Sequence, residues 1–194
     1  HGDLPFVWRN EERMIALTLA PTSTCKNDIP TKHLVAPFLF YLSLLASEVK
    51  GGESLVANRE WIAGVLFKDG IRLWKFFFTP EQASSYLQNL LVDFLSPSSF
   101  GKLPLAAFSD LSKQDFKAVI EILNHPSPDM EAQNLFEEIL LDAIEREESG
   151  MFHRGMELAD MLETGLTDNA LETAQRRLLP FLMGEPMDSL EAVE

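Results

Sequence analysis

The chain has 194 residues, 46% of them apolar and 24% charged, a formal net charge of −14 and one cysteine, Cys25. That is an ordinary globular composition, enough for one domain or for one domain with a helical appendage. It excludes a disulfide framework and a cysteine-based zinc site, and it fits a reducing compartment. The most apolar stretch, Leu34 to Ala46, is broken by Pro37 and Ser43 and followed by Glu48 and Lys50, so it falls short of the roughly 18–20 apolar residues a membrane span needs. His1-Gly2 at the start, with no Met and no signal-peptide pattern, reads as the beginning of a fragment cut from a longer chain.

The charge is unevenly placed. Residues 1–108 carry ten Lys/Arg and ten Asp/Glu, whereas residues 109–194 carry six basic against twenty acidic residues. Binding to phosphate backbones depends on Lys and Arg displacing counterions, so the acidic part is a poor clamp for nucleic acid. It is either a solvated surface or a docking face for a basic partner.

In chain order, Phe6 to Ala20 has an extended, β-compatible pattern with Met14, Ile15, Leu17 and Leu19, stopped by Pro21. Thr22 to Pro30 is a loop by composition. Thr31 is a candidate N-cap for a helix carrying Leu34, Phe38, Tyr41, Leu42 and Leu45 at helical spacing, ended by Gly51-Gly52. Pro37 inside it predicts a kink or a start later than Thr31. From Ser54 to Phe78 the pattern becomes that of strands. Trp61 to Phe67 is apolar at every position, as in a strand covered on both faces. Asp69-Gly70 predicts a tight hairpin turn, and Ile71 to Phe78 is the returning strand.

Thr79-Pro80-Glu81-Gln82 then has the pattern of a capping box with proline in the first turn. The helix it opens places Ala83, Tyr86, Leu87, Leu90, Leu91 and Phe94 on one face and ends at Ser96-Pro97. The remainder reads as helical: Ser112 to about Leu123, then a longer helix from Ser127-Pro128 to Gly150 with Leu135, Phe136, Ile139, Leu140, Ala143 and Ile144 as its apolar stripe. A short helix is expected around Met156 to Leu162. Thr167-Asp168 is expected to cap a last one, with Leu171, Ala174, Leu178 and Leu179 inward. The acidic residues after Pro186 are expected to fray.

Little in the chain has the pattern of a catalytic site. The only acid-x-Lys spacings are Glu48-Val49-Lys50 and Asp115-Phe116-Lys117, both in predicted helical segments. The hairpin offers two acids, Glu60 and Asp69, and Asp69 belongs to the turn. His33, His125 and His153 stand at no metal-ligand spacing, and Gly51-Gly52 lacks the Lys-Ser/Thr of a phosphate-binding loop. No catalytic, cofactor or metal residue is therefore assigned. Two surfaces are candidates for contacts. Lys68, Arg72 and Trp74 on the hairpin have the chemistry for a DNA phosphate and base, although plain sheet packing is the favoured account of Trp74. Glu138, Asp142 and Glu145 share one side of the long helix and are candidates for docking a basic partner.

The order of elements from Leu34 to Pro104 resembles the C-terminal region of the RecC family, the gamma chain of exodeoxyribonuclease V. The residues that carry the resemblance are TPEQASSYLQNLL from Thr79 to Leu91, the Leu103-Pro104-Leu105 step and the closing Leu178-Leu179-Pro180-Phe181. Ala106-Ala107-Phe108-Ser109 departs from the family's proline-containing apolar stretch. The resemblance implies a PD-(D/E)xK-type, restriction-endonuclease-like fold without its catalytic set. It also implies a structural role in a bacterial helicase-nuclease that processes double-strand breaks, in contact with the beta (nuclease-helicase) and alpha (helicase) chains, with DNA reached through the whole complex.

The fold expected is α+β: a small mixed sheet with a central hairpin packed by helices in residues 1–108, and an acidic helical part in residues 109–194. A metal-dependent nuclease domain is one alternative. A domain of an AddB-like chain is another, against which the single cysteine argues, since an iron–sulfur cluster there would need four.

Overall fold

The computed structural model describes residues 5–9, 11–20, 32–49, 60–95, 108, 111–148 and 170–187. It is an α+β structure with a five-stranded mixed sheet and, among the described residues, six α-helices. The chain divides into two compact units, His1–Ser99 with Gly184–Glu194, and Phe100–Met183. The first boundary thus falls before residue 108, and the last residues return to the first unit.

In the first unit the strands lie in the order β1 (Phe6–Arg9), β2 (Arg13–Ala20), β3 (Glu60–Phe67), β4 (Gly70–Lys75) and β5 (Glu185–Met187). The pair β2–β3 is parallel and every other pair is antiparallel. The predicted extended stretch from Phe6 is therefore two strands, with Phe6 opposite Leu17 and Arg9 opposite Met14. Parallel neighbours need a crossover, and the crossover contains helix α1 (Val35–Glu48), preceded by a 3₁₀ turn over Lys32–Leu34. Of the two readings of Pro37, the later start holds. Pro37 is the third residue of α1, where its missing N–H would have had no intrahelical acceptor.

The hairpin forms as expected, but its turn is centred one residue early. Phe67 pairs with Gly70, so Lys68 and Asp69 form the turn, and Gly70 takes a φ of +133°. A side chain would strain that conformation, which is why glycine follows the turn.

The register gives the sheet two unlike faces. On one, Met14, Trp61, Ala63, Val65 and Trp74 are buried. Tyr41 of α1 stacks on Trp61 with centroids 4.9 Å apart and 17° between planes. Phe38 meets Phe76 at 4.7 Å, and Tyr86 of helix α2 (Pro80–Leu95) completes the cluster at 6.0 Å from Phe38. The returning strand stops at Lys75, and Phe76 and Phe78 join this aromatic cluster from an irregular segment. On the other face Ile15, Ile62 and Leu73 form a buried cluster flanked by Leu17 and Met187.

The capping box at the start of α2 is present: the Thr79 N–H donates to Gln82 Oε1 (2.9 Å) and the Gln82 N–H to Thr79 Oγ1 (3.2 Å). In α2, Ala83 and Tyr86 are buried, but Leu91 is exposed. β5 carries the ordered chain one residue past Pro186, with Met187 paired to Leu73; the acidic residues 188–194, expected to fray, lie outside the described residues. Gly184 permits that pairing, since a Cβ there would lie 2.5 Å from the Phe76 ring.

The second unit is helical where described: α3 (Lys113–Asn124), α4 (Met130–Glu148), α5 (Ala170–Arg177) and the single turn α6 (Leu179–Leu182). Ser112 caps α3 by accepting from the Asp115 N–H (3.1 Å). The start of α4 is set by Asp129 rather than Ser127, its Oδ1 accepting from the Ala132 N–H (2.9 Å). Val119, Ile122 and Leu123 of α3 are buried, as are Phe136, Leu140 and Ala143 of α4, Ala170 and Ala174 of α5, and Phe181 and Leu182 of α6. Gln175 ties α5 to the end of α3, its amide donating to the carbonyls of Leu123 (3.2 Å) and His125 (2.9 Å). The expected loop at 22–30, the caps Thr31 and Thr167-Asp168, the Ser96-Pro97 stop, the Leu103-Pro104-Leu105 step and the helix around 156–162 lie outside the described residues.

Candidate functional site

The two ends of the β3–β4 hairpin hold the charged residues singled out in the sequence. At the open end of the hairpin, parallel pairing sets Arg13 directly opposite Glu60, and Lys75 lies one pleat along on the same face. Glu60 accepts from Arg13 Nε at 2.9 Å through one oxygen and from Lys75 Nζ through the other. The Lys75 hydrogen bond is the main cause that holds the Glu60 carboxyl below its ordinary value, with the charges of Lys75 and Arg13 adding to it against some desolvation.

A cleft of about 380 Å³ opens beside this triad, walled by Tyr41, Trp61, Phe76 and Phe78. Its polar groups largely satisfy one another. The Tyr41 hydroxyl donates to the Phe76 carbonyl (3.3 Å), and burial is the main cause that pushes its pKa up. Gln82 and Thr79 are committed to the cap. The Trp61 Nε1–H is buried without a hydrogen-bond partner. Chemically, the arrangement neutralises one carboxylate with two cations and stacks aromatic rings behind it.

A metal-dependent nuclease needs carboxylates gathered on the strands. Among the described residues no group of three His, Cys, Asp or Glu is placed to hold a metal ion. Asp115-Phe116-Lys117 lies in the first turns of α3, and Glu48 is the last residue of α1. His33 packs edge-on against Phe67 at 6.1 Å, and His125 Nδ1 accepts from the Ser127 N–H (3.2 Å). His153 lies outside the described residues.

At the turn, Lys68 is exposed, and Arg72 is tied to Asp69 (3.6 Å) and to the Ile71 carbonyl (3.1 Å). Trp74 is 0% exposed, so it cannot stack on a base while the sheet is intact. Arg72 and Trp74 do share a face, as alternation requires, but Arg72 lies near the turn and Trp74 lies deep in the sheet. The three proposed DNA contacts therefore do not form one surface. On α4, Glu138, Asp142 and Glu145 are exposed.

The sequence reading missed the partners of Glu60. The Asp69-Gly70 signal places Lys75 near Glu60 once the hairpin register is followed, but Arg13 arrives through a parallel pairing 47 residues away. It also missed a row of exposed apolar side chains across three strands: Leu19 (52% exposed) opposite Leu66 (39%), opposite Ile71 (38%). Alternation in each strand carried that signal. In comparisons with known proteins, no family model, no curated protein and no solved structure matched the chain.

Proposed function

We propose that this chain is a non-catalytic structural and subunit-contact domain of a bacterial, cytoplasmic helicase-nuclease that processes double-strand DNA breaks. It resembles the RecC-type gamma chain, and its partners would be the beta and alpha chains of that complex. The observation that carries the reading is the Leu19–Leu66–Ile71 row. Three large apolar side chains, adjacent in register and left in water, suit burial against another protein.

The sheet end supports a structural rather than a catalytic role. Glu60, the acid best placed on the central strand, has both oxygens engaged by Arg13 and Lys75. The mixed sheet with α1 in the parallel crossover is compatible with a degenerate restriction-endonuclease-like domain. In the second unit, Glu138, Asp142 and Glu145 would steer encounter with a basic partner surface and set its specificity more than its affinity.

The test is assembly with purified beta and alpha chains. The chain should co-purify with one or both, and Leu66→Lys with Ile71→Lys should abolish co-purification while far-ultraviolet circular dichroism stays unchanged. Reversing Glu138, Asp142 and Glu145 to Lys should slow assembly and weaken its salt dependence. No magnesium-dependent DNA cleavage is expected, and DNA binding should stay in the non-specific range of about 10⁻⁴ to 10⁻⁶ M. Cleavage that requires magnesium and disappears on Glu60→Ala would favour the nuclease alternative and sink this reading.

A further inference from the structure

The sheet ends on two edges that are built differently. β5 is three residues long, and its middle residue is Pro186, which has no N–H to offer a further strand. The other edge, β1, is Phe6-Val7-Trp8-Arg9. Among the described residues it pairs with β2 alone. Its side chains stand in water on both faces: Phe6 is 67% exposed and Trp8 48% on one face, and Val7 is 43% exposed on the other. Proteins usually blunt such an edge with proline, lysine or a covering segment. Within β1 there is no proline, and Arg9 at its end is the only charge.

We propose that β1 is the seat of a second copy of this chain, the two β1 strands pairing antiparallel about a two-fold axis so that two sheets become one. This inference does not depend on the assembly role proposed above. A two-fold axis perpendicular to the sheet keeps each face on its own side. Residues directly opposite one another must therefore both come from the Phe6/Trp8 set or both from the Val7/Arg9 set.

Centring the axis on Val7 satisfies this at every position of the strand. Val7 meets Val7, Phe6 of each copy lies opposite Trp8 of the other, and Arg9 lies opposite Pro5. Two aromatic cross-strand pairs form on one face, and no cation opposes a cation. Centring on Trp8 instead would set Arg9 opposite Val7 and lose one of the aromatic pairings. What favours a second copy is the strand's own pattern, since Phe6 and Trp8 complement each other about the two-fold axis. Although the chain carries −14 overall, β1 brings a single positive charge to the contact, and the axis keeps the two arginines apart.

A four-residue strand pair is small beside the roughly 1,600 Å² of a standard stable interface, so the dimer should be weak and concentration-dependent. Sedimentation equilibrium of the 194-residue chain, from micromolar to millimolar concentration at physiological salt, should show a reversible monomer–dimer equilibrium. Hydrogen exchange at the β1 amides should slow as the dimer fills. Phe6→Lys with Trp8→Lys sets ammonium groups opposite each other at both cross-strand pairs and should weaken dimerisation by about tenfold or more. Both side chains are exposed, so circular dichroism should be unchanged. Phe77→Lys alters an equally exposed aromatic (70%) away from β1 and should leave dimerisation intact. A chain that stays monomeric throughout would overturn the proposal. So would a dimer that Phe77→Lys weakens as much as the double variant does, since that would be unspecific apolar association.

Discussion

The two ends of the β3–β4 hairpin handle exposed chemistry in opposite ways. At the Glu60 end, every prominent charge is neutralised by a neighbour and the aromatic rings of Tyr41, Trp61, Phe76 and Phe78 close in behind. At the turn end, Leu66 and Ile71 remain in water beside an exposed Lys68. One end has turned its side chains inward and contributes stability. The other buries Val65 and Phe67 on one face but on the opposite face leaves apolar surface free for something else. Substitutions at the first should therefore register in unfolding experiments, and substitutions on the exposed face of the second should register only in association.

The largest effect is expected at Trp61, 3% exposed and stacked on Tyr41. Trp61→Ala should cost about 3–5 kcal/mol in denaturant unfolding, the range for emptying a large aromatic site. Trp61→Phe should cost far less than the loss of area suggests. It keeps a ring against Tyr41 and removes an indole N–H that is buried without a partner, and such an unpaired donor is itself destabilising. Equal losses for the two variants would mean that the indole N–H makes a bond that matters.

Glu60 comes next. Glu60→Ala leaves Arg13 and Lys75 side by side without their shared carboxylate and should cost about 1–2 kcal/mol, as for a partly exposed, charge-assisted hydrogen-bond pair. Its pH dependence has a definite sign. The folded Glu60 carboxyl titrates below its ordinary value, so its contribution is complete above the unfolded carboxylate value of about 4.3. It is then lost as pH falls from there through the folded value. The stability gap between the parent and Glu60→Gln should be widest near neutral pH and close in acid. A gap independent of pH would show that the triad contributes through packing alone.

A smaller effect is expected at the cap of α2. Gln82→Ala removes the acceptor of the Thr79 N–H and should lower stability by about 0.5–1 kcal/mol. This cap was legible in the sequence because Thr79-Pro80-Glu81-Gln82 needs no information from outside four residues. The hairpin was legible for the same reason, and its turn shifted by one residue because Asp69-Gly70 suits both a two-residue turn and the end of a turn begun at Lys68. What could not be read depends on distant segments. Arg13 reaches Glu60 only because β2 and β3 run parallel. β5 is three residues with a proline in an acidic tail, and only its pairing with β4 makes it a strand. The face shared by Arg72 and Trp74 followed from alternation. Depth along the strand, which separates an ion-paired arginine from a buried tryptophan, is set by what packs over the sheet and is invisible in strand periodicity.

The smallest effect on folding is expected where the effect on association is greatest. Leu66→Lys replaces a side chain that is 39% exposed and lies opposite Leu19 and Ile71, which are exposed themselves. The folded chain therefore loses little buried apolar area, and the change in unfolding free energy should stay within about 0.5 kcal/mol. In a complex that covers the row, the same substitution buries an ammonium against apolar side chains with no partner on this chain, and truncation or charge at a covered apolar residue is where interface energy concentrates. The two ends of the hairpin are thus separated by a single pair of measurements. Trp61→Ala should shift unfolding strongly, whereas Leu66→Lys should leave unfolding in place and remove binding to the partner chains. A Leu66→Lys variant that unfolds as readily as Trp61→Ala would mean that the turn end belongs to the core after all. One that still binds the beta or alpha chain with unchanged affinity would place the contact surface elsewhere on the chain.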